Sequence, residues 1–198
     1  MTVSRAMDQL SEIRNHLSRS EMYRGYRPGA LAAIGLVSLL FMVAQALFLG
    51  PEGRLTQWII VAIIIAAAEA GIILWNYFRN SGSFYRMQTR RILFQFFPFI
   101  ISGALLSFIF LGNGEVNKYL PGIWAIIFGL SIVGMLPYIT AGLIYAALYY
   151  LACGFLSLAL ARGGHDVLPW GPGLTFGPGH LLTALIMKIN LGKTNEDR

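Results

Sequence analysis

The chain has 198 residues, of which 56% are apolar and only 12% are charged, and its formal net charge is +6. Soluble domains average about 45–50% apolar and about 25% charged residues, so this composition excludes an ordinary water-soluble domain. The apolar residues also occur in blocks, and a block of about 18 residues or more can cross a bilayer. The composition therefore predicts an integral membrane protein.

Six apolar blocks of this kind follow one another, at residues 28–49, 58–75, 92–111, 120–136, 138–161 and 168–187. Each is expected to be an α-helix, because backbone groups inside a bilayer find no water to bond to. The predicted fold class is all-α: a polytopic transmembrane helix bundle of about six spans, formed by residues 28–190. Only Pro137 separates the fourth block from the fifth, which predicts a tight hairpin, with a re-entrant pair as the alternative.

Residues 1–27 precede the bundle, and residues 191–198 follow it as a short cytoplasmic tail. The first segment has apolar side chains at helical spacing, which predicts an amphipathic cytoplasmic helix. Its apolar stripe consists of Val3, Met7, Leu10, Ile13 and Leu17. The stripe could lie on the bilayer, pack on the bundle's own cytoplasmic face, or pair with a membrane protein partner or a second copy. Its mixed charge favours docking on the chain itself or on a partner.

The lysine and arginine residues predict the orientation of the chain. With a cytoplasmic N-terminus, twelve of the fifteen basic residues lie inside, and only Arg54, Lys118 and Arg162 lie outside. Because basic loops are retained in the cytoplasm, both termini are predicted to be cytoplasmic in a bacterial-type inner (plasma) membrane. In this topology most basic residues lie next to anionic lipid headgroups. Their position explains the positive charge, so no nucleic-acid partner is predicted.

One acidic residue, Glu69, lies within the second block. A carboxyl group there costs roughly 2.5–3.5 kcal/mol on insertion scales, so it is expected to face the bundle interior and to have a partner. Glu69 and His180 of the sixth block each lie about 15–16 Å below a tryptophan near the outer end of the block. Tyr145 and Tyr149 of the fifth block fall at a similar depth. The sequence therefore predicts one intramembrane polar layer containing Glu69, His180 and one or both tyrosines.

Two interpretations of this layer remain open. In the first, Glu69 titrates and His180 is its switchable neighbour in a proton or cation relay. In the second, a protonated Glu69 forms a hydrogen-bonded clasp between the second and sixth spans. A Glu69→Gln variant with unchanged activity and assembly would leave the relay without support.

The sixth block begins with two Gly-Pro-Gly triplets. Pro178 leaves the Leu174 carbonyl without its helical donor, so the outer half of this block is predicted to be distorted or re-entrant. Broken helices near mid-membrane mark many transporter sites, whereas glycine and proline also permit close helix packing. The predicted broken-helix residues are Gly171, Pro172, Gly173, Gly177, Pro178 and Gly179.

Motifs of enzymes are absent from the sequence, which has no phosphate-binding loop, no histidine pair with metal spacing and no nucleophile elbow. No catalytic residue, metal or cofactor is therefore predicted. The leading interpretation is a non-enzymatic membrane protein that acts through helix contacts as an accessory, regulatory or assembly partner. The alternative is a small proton-coupled carrier or channel that uses Glu69 and His180.

Three short motifs are spread over most of the chain. They are Ser11-Glu12-Ile13-Arg14 before Arg19-Ser20, Thr89-Arg90-Arg91 ahead of the third block, and Phe176-Gly177 through His180 and Met187. In these motifs the chain resembles an uncharacterised family of small six-span bacterial inner-membrane proteins. It departs from that family's pattern at Thr183 and Lys188, where tyrosines are expected. The resemblance implies six spans and a cytoplasmic N-terminal helix, and it implies no activity.

Overall fold

A computed structural model describes residues 27–48, 53–79, 83–110 and 113–196. Every regular element in these ranges is a helix, which confirms the predicted all-α class. The amphipathic helix predicted for residues 1–27 lies outside the described residues except for Arg27.

Six long helices and one short helix follow in chain order. They are α1 (Pro28–Phe48), α2 (Arg54–Arg79), α3 (Ser83–Phe110), the short α4 (Gly114–Asn117), α5 (Leu120–Met135), α6 (Ile144–Arg162) and α7 (Gly171–Glu196). Five segments are long and apolar enough to cross a membrane: α1, α2, Arg86–Phe110, Glu115–Tyr138 and Ala141–Arg162. Helix α7 is long enough but is not among them, because its glycine, proline, threonine and histidine residues lower its hydropathy.

Helices α5 and α6 form the tight hairpin that the sequence predicts. Two 3-10 turns, Leu136–Tyr138 and Ala141–Leu143, join them, and Pro137 lies in the first turn, where it cannot extend the hydrogen bonding of α5. The two helices then pack antiparallel at close range. A Cβ on Gly122 of α5 would lie 2.9 Å from the carbonyl oxygen of Gly154 of α6.

Helix α7 packs antiparallel along α1, in the most extensive helix contact of the described chain. A Cβ on Gly35 of α1 would lie 2.7 Å from the carbonyl oxygen of Gly177, and a Cβ on Gly177 would lie 2.5 Å from Cγ of Leu39. Two turns nearer the end of α1, Met42 packs against Gly173. Glycine is needed at these positions because any side chain would push the two backbones apart.

The structure shows a continuous helix where the sequence predicts a break. Helix α7 includes the whole of Gly171, Pro172, Gly173, Gly177, Pro178 and Gly179. Its glycines serve as packing surfaces for neighbouring helices, and the carbonyl that Pro178 leaves unpaired finds a donor outside the helix. The structure therefore shows no break at these six residues, and a local distortion or a re-entrant path stays a prediction.

Side-chain hydrogen bonds connect the start of α2 to the rest of the bundle. Gln45 of α1 donates from Nε2 to Oε1 of Gln57 at 2.8 Å. Nε1 of Trp58 donates to the Leu168 carbonyl at 3.2 Å. Beyond this end, α2 is buried again only at Asn76, among its described side chains, and its long middle is largely exposed. Of the long helices, α2 is therefore the one that the described part of the chain covers least.

Candidate functional site

His180 lies in the middle of α7, and its side chain is only 6% exposed. Its Nδ1 lies 2.7 Å from the carbonyl oxygen of Phe176, one helical turn earlier, and 3.0 Å from the hydroxyl oxygen of Tyr150 on α6. A carbonyl oxygen can only accept a hydrogen bond, so we assign a proton to Nδ1. The Tyr150 oxygen is then a second acceptor of the same N–H group. These contacts fix the ring and distinguish its two nitrogens.

Aromatic rings enclose this histidine. The ring centres of Phe128 on α5 and Phe176 lie 5.5 Å and 6.2 Å from the imidazole centre. Tyr150 is fully buried, and its ring occupies the space that a side chain at position 179 would need. Gly179, the residue before His180, is therefore required for the tyrosine and the histidine to meet.

An apolar cavity of about 80 Å³ adjoins His180. Side chains of α1, α2, α3, α5, α7 and the α5–α6 connection line it, so it lies where most of the long helices converge. Its only polar lining residues among those described are Thr89, Thr183 and His180. The imidazole is thus a polar group at the wall of an otherwise hydrocarbon-like space.

Glu69 lies in α2, and its side chain is outside the described part of the structure. The helical repeat places position 69 about 20° from both Trp58 and Asn76 around the helix axis. Those two residues are the buried positions among the described side chains of α2. One turn later, Ile73 lines the cavity beside His180. A contact between Glu69 and His180 stays a prediction.

The two tyrosines predicted for the polar layer do not pair with His180. Tyr145 is 67% exposed on the outer surface of α6. The hydroxyl of Tyr149 donates instead to the carbonyl of Leu174 on α7, the same carbonyl that Pro178 cannot serve. The tyrosine that does meet the histidine is Tyr150, which sequence reasoning missed. Gly179 was the available signal, because a glycine next to a buried histidine leaves room for a large ring from the facing helix.

Within the described ranges, no three histidine, cysteine or acidic side chains come close enough together to hold a metal ion. The chain matches no protein family model, no curated protein and no solved structure. What the site does must therefore be inferred from the geometry of this chain alone.

Proposed function

We propose that this chain is a six-span protein of a bacterial-type inner membrane that acts through helix contacts, as an accessory, regulatory or assembly partner. Both termini are cytoplasmic in this proposal, because the distribution of lysine and arginine favours that orientation. The partner is another transmembrane helix, from a second copy of the chain or from a different membrane protein.

The proposed sixth span is α7. Its 26 residues extend about 39 Å, which is more than the roughly 30 Å of a bilayer's hydrocarbon core. It also packs against α1 through Gly35 and Gly177 at the middle and through Met42 and Gly173 nearer one end. If α1 crosses the membrane, a helix packed antiparallel along so much of it crosses as well.

The uncovered middle of α2 is the observation that carries the proposed mode of action. Ala66, Ala67, Ala70 and Gly71 are all exposed, and a Cβ on Gly71 would meet no atom within 4 Å. Glycines such as Gly35, by contrast, are in tight contact with a neighbouring helix of the same chain. Small residues let transmembrane helices approach closely, so this surface suits a partner helix. Residues 1–27 would supply a second contact on the cytoplasmic side.

The test replaces Gly71 by leucine. The substitution leaves the bundle's own contacts intact, because the position faces open space, but it blocks the close approach of another helix. The matched control is Ala152→Leu, which adds comparable bulk to an exposed position of α6. Purification from native membranes in mild detergent should recover a dimer or a stable partner with the wild type and with Ala152→Leu. Gly71→Leu should lose it at equal protein yield.

Recovery of the wild type only as a monomer, without associated protein, would refute the proposal. Equal association of the Gly71→Leu and Ala152→Leu variants would refute the assignment of the contact to α2.

A second function, a small proton-coupled carrier or channel, is favoured by one specific observation. Ile73 of α2 and His180 of α7 line the same cavity, and Glu69 lies one helical turn from Ile73. In liposomes containing the purified protein, this function predicts pH-dependent flux that Glu69→Gln abolishes. The control is Glu115→Gln, at an exposed residue of α4. Flux that is unchanged in Glu69→Gln would contradict it.

A further inference from the structure

The cavity beside His180 is partly open, and its volume gives the size of the molecule that its inner part can hold. Its volume of about 80 Å³ is roughly half that of an engineered cavity of about 150 Å³ that binds benzene. Several water molecules would also fit by volume alone, since one needs only about 10–15 Å³. Volume by itself therefore does not decide between water and a small organic molecule.

The polarity of the cavity lining distinguishes between water and a small organic molecule. A buried water needs two to four polar partners, and a cavity without them stays dry. The Thr183 hydroxyl already donates to the Gly179 carbonyl, and Thr89 has a partner within the chain. The remaining described lining is apolar, from Leu31 on α1 to Met187 on α7. Such a wall favours an apolar occupant over a chain of waters.

His180 adds one directional polar contact. With the Nδ1 proton held by the Phe176 carbonyl, the neutral ring has a lone pair at Nε2. No described residue is hydrogen-bonded to Nε2. His180 lines the cavity and its Nδ1 is occupied, so Nε2 is the ring nitrogen left to bind a molecule in the cavity. The described side chains around the cavity carry no charge, and this favours the neutral imidazole, since a buried charge without a counter-charge is costly.

We propose that this cavity is a binding site for a small, neutral, mainly apolar molecule that carries one hydroxyl group, such as a short-chain alcohol. The hydroxyl donates to Nε2 of His180, and the hydrocarbon part lies against Ile92, Ile132 and Leu143. Molecules of this class partition into bilayers. The site does not depend on either function proposed above.

A pair of isomers tests the direction of the hydrogen bond. 1-Butanol and diethyl ether have the same atoms, but the ether has no proton to donate. With the full-length protein in lipid nanodiscs, titration with 1-butanol should produce a saturable shift of the His180 Nε2 resonance in ¹⁵N spectra. Diethyl ether should produce only the linear drift expected of a bilayer effect, and His165, exposed between α6 and α7, should show no saturation with either compound.

Substitutions that fill the cavity provide a second test of the proposal. Leu143→Phe and the milder Thr183→Ile should each weaken the butanol response by about tenfold or more. Leu148→Phe, at an exposed position of α6, should leave it unchanged. Unchanged Nδ1 resonances verify that each variant folds. A linear response to butanol in the wild type, an equal saturable response to the ether, or full binding by the well-folded Thr183→Ile variant would overturn the proposal.

Discussion

Pro178 removes one hydrogen-bond donor from the interior of α7, and the Tyr149 hydroxyl of α6 supplies another to the Leu174 carbonyl. A backbone carbonyl left unpaired in a membrane is costly because no water can reach it. This single contact explains why the proline is tolerated within a continuous helix, and it also ties α7 to α6.

Tyr149→Phe should therefore destabilise the protein by roughly 0.6–1.5 kcal/mol, the usual range for one hydrogen bond of this kind. The measurement is reversible unfolding in mixed micelles. In a Pro178→Ala background the new amide can serve Leu174, so the same tyrosine substitution should cost clearly less. Equal costs in the two backgrounds would show that the tyrosine does not compensate for the proline.

Single residues also show what the sequence could and could not predict. The unpaired Leu174 carbonyl follows from Pro178 by covalent chemistry, and the depth of His180 follows from helix rise. The identity of the facing tyrosine depends on how α6 is rotated about its axis, and Tyr149 and Tyr150 differ by only about 100° and 1.5 Å. That rotation is set by packing against α5 and α7, which is a long-range property.

At the scale of elements, glycine distinguishes the closely packed helices from the uncovered one. Gly177→Ala should destabilise the protein by about 1–3 kcal/mol, because its Cβ would overlap Leu39 and force α1 and α7 apart. Gly71→Ala should be neutral or slightly stabilising, since it meets open space and alanine is the better helix former. Unfolding of the two variants in the same micelles gives the comparison.

A result in which both substitutions had the same effect would contradict the assigned α1–α7 contact.

The existence of these helices was predictable, because each apolar block extends over enough residues to require helical backbone bonding. Which helices pack against each other was not predictable. The sequence shows glycines in all six blocks, but which glycine meets which backbone depends on the register between helices.

At the scale of the whole molecule, the placement of α7 decides the topology. Five segments are apolar enough to span by themselves, and a five-span chain would place its two ends on opposite faces of the membrane. The proposed six-span chain gains its last crossing from packing: α7 is less apolar than the other long helices, yet it lies against α1 through tight glycine contacts. Shielding by α1 and α6 reduces the contact of its polar residues with lipid.

Cysteine labelling in intact cells tests this topology most directly. Single cysteines would replace Ser4, His165 and Thr194 in a Cys153→Ser background, and a membrane-impermeant maleimide would be added before and after permeabilisation. The six-span account predicts labelling at position 165 from outside, and labelling at positions 4 and 194 only after permeabilisation. Labelling of positions 4 and 194 from opposite sides of the membrane would contradict it.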